Sequence, residues 1–146
     1  MARVFLDHRT GQTLPPGLCE LAEQAILAQG LAYAPYSRFP VGAALRGADG
    51  RIFVGANVEN ASYGLTVCAE RTAVIAGVLA GVRVFSAMAI CTRLSPPAAP
   101  CGMCRQTLSE FCEDLDLLLV SPDGVAEKTT LAALLPRAFR PGALLG

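Results

Sequence analysis

Apolar positions at Leu18, Leu21, Ala22, Ala25 and Ile26 recur at helical intervals behind Pro15-Pro16-Gly17, and Gly30 stands where such a run would be capped. The spacing predicts a first helix. Tyr33 to Pro40 carries two prolines and three aromatics and predicts an ordered loop. Two short apolar segments follow, Val41 to Arg46 and Arg51 to Asn57, joined through Ala48-Asp49-Gly50. Asp-Gly supplies the positive φ of a tight turn, so these predict an antiparallel hairpin. A polar stretch from Glu59 to Leu65 empties into a second predicted helix, about Val67 to Leu79, with Thr66 as its N-cap. Val82 to Cys91 reads as a strand, and Ser95 to Pro100 ends it before a third helix from about Cys101 to Glu113. Leu115 to Val120, apolar but for Asp116, predicts a central strand. Pro122-Asp123-Gly124 turns the chain into a weaker strand, Val125 to Thr129, before a short helix from Leu131 to Leu135. The order α-β-β-α-β-α-β-β-α implies the α/β class: a three-layer α/β/α sandwich around a mixed five-stranded sheet.

Composition narrows the functional classes. The chain has 146 residues, 12 basic and 12 acidic side chains, and 53% hydrophobic residues. One domain over residues 1–146 is expected, and a chain of this length buries roughly 68–70% of its unfolded surface without needing disulfides. Charged residues form only 16% of the chain and make no basic runs, which argues against nucleic acid and anionic membranes as partners and favours a small neutral one. The most apolar window, Thr72 to Cys91, is broken by Arg83, Gly77 and Gly81 and so reads as helix plus strand rather than a membrane span. Charge interrupts the first residues before an export signal could develop, so a cytoplasmic protein with reduced thiols is expected. The high apolar content also suits a subunit that hides surface in an oligomer.

The chemistry concentrates in Cys68-Ala69-Glu70 and Pro100-Cys101-Gly102-Met103-Cys104, each opening a predicted helix. Cys101 and Cys104 lie on one face of a first turn, and a third thiolate from Cys68 would leave one tetrahedral zinc position open for catalysis. Helix N-termini favour thiolates. Zinc with three thiolates is a net anion and a poor Lewis acid, so a nearby positive charge is expected. Arg71, three residues after Cys68, can supply it by donating to sulfur. Glu70 then serves as general base and acid without ligating the metal. For Cys68 and Glu70 to converge, Cys68 must sit at or just before the first turn.

These stretches, with Ala34 to Leu45 and Asn57 to Gly64, make the chain similar to the cytidine deaminases of the small, three-cysteine zinc type, within the cytidine and deoxycytidylate deaminase superfamily. Their signature is a first ligand followed two residues later by Glu, then Pro-Cys-x-x-Cys. The likeness covers Leu18 to Pro141. It implies a cytidine deaminase-like fold, one Zn2+ per subunit, and hydrolytic deamination of cytidine and deoxycytidine to uridine and deoxyuridine with release of ammonia, a pyrimidine salvage reaction. It further implies that Phe39 stacks near the pyrimidine, Asn57 and Glu59 bind the ribose hydroxyls, and the Ala69 N–H meets the base carbonyl. Tyr63 and Phe139 resemble positions donated across subunit boundaries, in a homotetramer with active sites at its interfaces. Arg140, where relatives often carry Gly, departs from the pattern.

The same residues allow other readings. Cys101 and Cys104 alone would fit a redox pair. A closed structural zinc site would want a fourth protein ligand, and neither Cys91 nor Cys112 is well placed to give one. Cys19, Cys91 and Cys112 read as small buried hydrophobes. Related activities are deamination of a modified cytosine nucleoside, such as a blasticidin-type antibiotic, and a catalytically silent zinc-stabilised binding protein.

Overall fold

The computed structural model of the protein describes residues 3–145. The predicted elements are present: α1 (Pro16–Gln29), β2 (Gly42–Gly47), β3 (Ile52–Ala56), α2 (Ala69–Leu79), β4 (Phe85–Cys91), α3 (Gly102–Ser109), β5 (Asp116–Val120), β6 (Val125–Thr130) and α4 (Leu131–Leu134). Two short elements were not expected, β1 (Leu6–Asp7) before α1 and α5 (Gly142–Leu145) after α4. The sheet is therefore six-stranded rather than five-stranded, in the order β1-β6-β5-β4-β2-β3. β4 pairs parallel to β5 and β1 parallel to β6, while the β2–β3, β2–β4 and β5–β6 pairs are antiparallel. The turn between β2 and β3 places Gly50 at φ +90°, as the Asp-Gly pair predicts.

Alternation along the strands sorts the core into two halves. Ala44, Ala87, Ala89, Cys91, Leu118 and Val120 pack under α1 through Leu18, Leu21, Ala22 and Ala25. Ala43, Leu45, Met88, Ile90, Leu117 and Leu119 pack with Ala69, Ala73 and Val74 of α2 and Leu108 of α3. α2 and α3 thus share the face opposite α1, and the site forms where they start.

Close backbone approach sets the height of α2 above the sheet. A Cβ added to Gly55 on β3 would collide with Ala69 O, Ala73 N and Thr72 Oγ1. Thr72 Oγ1 also donates to Ala56 O at 2.9 Å, tying the helix to the end of β3. The entry to α2 differs from the expected one. Thr66 is not its N-cap; Cys68 is, in an extended conformation (φ −70°, ψ 155°) with no side-chain cap. Val67 and Val58 exchange backbone hydrogen bonds at 2.9 and 3.0 Å, which keeps the chain extended through Val67 and delays the helix. α3 likewise ends at Ser109 rather than near Glu113, and β4 begins at Phe85 rather than Val82, after Gly81 turns the chain at φ +91°. No helix among the described residues is long and apolar enough to cross a membrane.

Candidate active site

Cys68 and Cys101 are the N-cap residues of α2 and α3, and Cys104 lies in the first turn of α3. The three sulfurs lie within 4.8 Å of one another, with Cys101 Sγ 3.4 Å from Cys104 Sγ and 4.0 Å from Cys68 Sγ. Among the described residues this is the one such group of metal-ligating side chains, and it holds no fourth member. Cys91 is wholly buried in β4, Cys19 is buried in α1 where its thiol faces Leu14 O, and Cys112 lies beyond the end of α3 with its thiol donating to Leu108 O at 3.0 Å. All three stand apart from the cluster, as expected of packing residues.

The donor set fits a thiophilic dication. Three sulfurs crowd at two helix N-termini, where the unsatisfied N–H groups and the dipole favour negative charge. Arg71 reaches Cys68 Sγ at 3.6 Å and Thr66 O at 3.2 Å through Nη2, while its buried Nε has no partner in the protein. A guanidinium held against the Cys68 sulfur with a donor to spare supplies the compensating charge that a trithiolate centre needs. The Cys68 thiol is held down at about 5, first by the hydrogen bond from Cys104 and then by Arg71. The Cys104 thiol is pushed up, first by that same bond to Cys68 and then by burial and the Glu70 charge. Of these two, Cys68 is therefore the first to ionise.

Glu70, in the first turn of α2, is only 5% exposed and faces the same cleft. Burial pushes its carboxyl up, with the Cys104 thiol and the helix start pulling part of the way back. Cys68 does sit just before the helix, so it and Glu70 converge as the spacing required.

The cleft holds about 270 Å³ and brings together Phe39, Asn57, Glu59, Cys68, Ala69, Glu70 and Cys101. Ala69 is the first helical residue, so its N–H has no partner within the helix. Asn57 is buried and braces the preceding loop: Nδ2 donates to Phe39 O at 2.9 Å and Oδ1 accepts from Val41 N at 2.8 Å. One N–H and one lone pair remain for a ligand. Glu59 accepts from Tyr36 N at 3.0 Å, Ser37 N at 3.1 Å and the Ser37 hydroxyl. Those bonds, the Ser37 hydroxyl foremost, hold its carboxyl below the usual range.

Tyr63 and Phe139 lie outside this cleft. Tyr63 is 73% exposed on a 3-10 turn and lines an adjoining hollow with Tyr36, Ser37, Glu59 and Thr66. Phe139 is 60% exposed and lines a separate cavity with Gln106, Arg140 and Leu144. Sequence reasoning missed Thr92 and the wall formed by Ala98 and Ala99. The signal was available, since Thr92 follows β4 directly and Ala98 and Ala99 lead into the Pro100-Cys101 start of α3.

A three-sulfur centre with no fourth protein ligand among the described residues, a guanidinium on the Cys68 sulfur and a buried carboxyl in the adjoining small cleft is the equipment of a metal-dependent hydrolase. Comparison with known proteins gives that class a family. Residues 18–115 match the cytidine and deoxycytidylate deaminase zinc-binding region. Cytidine deaminase of Sporosarcina psychrophila is 50% identical over 109 residues, which is 74% of this chain and 80% of that protein. The cytidine deaminase of Halalkalibacterium halodurans is 48% identical over 82% of this chain and 91% of its own length. Among solved structures, a cytidine deaminase from Burkholderia pseudomallei superposes with a TM-score of 0.79 at 48% identity, over 82% of this chain and 97% of that one. The chain belongs to the cytidine and deoxycytidylate deaminase family.

Proposed function

We propose that this chain is a zinc-dependent hydrolase that converts cytidine and deoxycytidine to uridine and deoxyuridine with release of ammonia, as a single catalytic domain over residues 1–146. The observation that carries the reading is the buried Glu70 in one cleft with Cys68 and Cys101, whose sulfurs cluster with that of buried Cys104. Zinc held by Cys68, Cys101 and Cys104 would supply a water acidic enough to attack at neutral pH. The remaining work falls to the protein. Glu70 takes the proton of the attacking water and delivers it to N3 of the pyrimidine as oxygen adds at C4. It then carries a second proton to the departing amine, so one carboxyl serves as base and acid. A carboxyl with its affinity for protons raised by burial suits both duties. The Ala69 N–H, free of helical partners, holds the base carbonyl, and Phe39 covers the ring.

Asn57 and Glu59 take the sugar hydroxyls with the capacity left after bracing the loop, and that bracing fixes them before substrate arrives. Tyr63 and Phe139, both exposed and outside the cleft of their own chain, act at sites shared between subunits of a homotetramer. The neutral net charge suits a free nucleoside in the cytoplasm better than a polynucleotide.

The test is incubation of purified protein with cytidine, deoxycytidine and a blasticidin-type nucleoside, with products separated and sedimentation run on the same sample. Uridine and deoxyuridine from a tetramer support the reading. Turnover of the antibiotic alone moves the assignment to a modified-nucleoside deaminase, and a monomer with full activity removes the shared-site role of Phe139.

A further inference from the structure

Cys101 is the one ligand of the cluster that is exposed, so packing does little to aim its sulfur. Its direction depends on the two peptide planes that flank its Cα. Both are held by a single residue. The Arg105 backbone N–H donates to Cys101 O at 3.1 Å, fixing the plane after the ligand. Arg105 Nε donates to Pro100 O at 2.8 Å, fixing the plane before it. The guanidinium is itself anchored, because Nη1 donates to Leu134 O at 2.8 Å at the end of α4. That helix is secured in turn: Leu131 is 1% exposed, Leu131 N donates to Leu115 O at 2.9 Å, and Ala132 N donates to Asp114 Oδ1 at 3.0 Å. Hydrogen bonds from a guanidinium to carbonyls are charge-assisted and directional.

We propose that Arg105 is a positioning residue for the metal centre, aiming Cys101 Sγ at the cluster by clamping the Pro100 carbonyl against α4. The assignment rests on the zinc reading above. It differs from the role of Arg71, which touches sulfur; Arg105 acts only through the backbone of the ligand. Arg140 offers an internal control. It grips two carbonyls in the same way, Cys112 O at 3.2 Å and Glu113 O at 2.8 Å, but beyond the far end of α3.

The experiment measures zinc affinity against a chromophoric chelator, together with melting temperatures of zinc-loaded and metal-free protein, for wild type, Arg105→Ala, Arg105→Lys and Arg140→Ala. Arg105→Ala is expected to bind zinc about 10–100-fold more weakly, and the gap in melting temperature between its two forms narrows. Lysine can reach one carbonyl but not both, so Arg105→Lys falls between. Arg140→Ala lowers both melting temperatures together and leaves affinity alone. Should Arg105→Ala fail to fold, the cobalt-loaded Arg105→Lys protein is read instead, with a shifted thiolate-to-metal absorption band expected. Equal loss of stability in both forms of the Arg105 variants, with zinc affinity and cobalt spectrum unchanged, would show a purely structural tie and overturn the proposal. A wild-type chain that binds no zinc overturns the zinc reading itself and this assignment with it.

Discussion

Replacing Glu70 with Gln removes the proton carrier while keeping the shape of a side chain that is 5% exposed. A positioned acid–base group contributes roughly 10²–10⁴ per proton transfer, and Glu70 serves at two transfers on the same substrate. The loss in kcat should therefore reach at least about 10⁴, equivalent to about 5 kcal/mol of barrier. The three sulfurs are untouched, so zinc content stays at the wild-type level. Stability moves the other way: burial already disfavours the Glu70 anion, so a neutral amide relieves a desolvation cost and the metal-free variant melts no lower than wild type. The assay is loss of cytidine's ultraviolet absorbance, with metal analysis and thermal melting on the same preparation. Near-normal turnover in a zinc-loaded Gln variant would refute the proton-carrier role. A variant that loses zinc and activity together would instead make Glu70 part of the metal's support.

Other perturbations separate the remaining parts of the site. Cys101→Ala should lose zinc and the stability linked to it, read by metal analysis and melting; a variant retaining full zinc would remove Cys101 from the ligand set. Arg71→Gln, which deletes the charge on Cys68, should cost about 10–100-fold in zinc affinity or turnover, measured by chelator competition and kinetics. Gly55→Ala forces a methyl into the backbone of Ala69 and Ala73 and should destabilise the fold by about 1–3 kcal/mol in denaturant titration, with activity falling further because α2 carries Cys68 and Glu70. Burial pushes the Cys91 and Cys112 thiols up from 9.0 to about 11. The folded chain keeps protons there that the unfolded chain gives up, so their contribution is intact below pH 9 and is lost as pH rises toward about 11. Melting temperature against pH should show that decline, shallower in Cys112→Ala.

The elements that read correctly from sequence are those whose signals are local. Asp49-Gly50 specified the hairpin, the unbroken run Leu117 to Val120 specified a strand buried on both faces, and the prolines at 96, 97 and 100 marked the approach to α3. β1 was illegible because Leu6–Asp7 is strand only by pairing with Val125 and Ala126, far along the chain. The capping of α2 misled for a related reason. Thr66 has the better capping side chain, yet the Val58–Val67 bridge holds the backbone extended past it. The cysteines, Glu70 and Arg71 were legible because their spacing alone constrains which side chains can meet. The bracing by Asn57 and the grip of Arg105 were not, since their partners are the backbone oxygens of Phe39, Pro100 and Leu134, and a carbonyl carries no mark in the sequence. Phe139 shows the same limit, as its surroundings in a single chain lie away from the cleft.

One zinc on Cys68, Cys101 and Cys104 is what would make this cleft a deaminase. The most direct measurement is a titration of chelated, reduced protein with zinc while ammonia release from cytidine is followed. Activity should rise in proportion to added metal and reach its plateau at one zinc per chain, matching the single three-cysteine group among the described residues. Full turnover before zinc is added, or a chain that takes up its zinc and releases no ammonia, would contradict it.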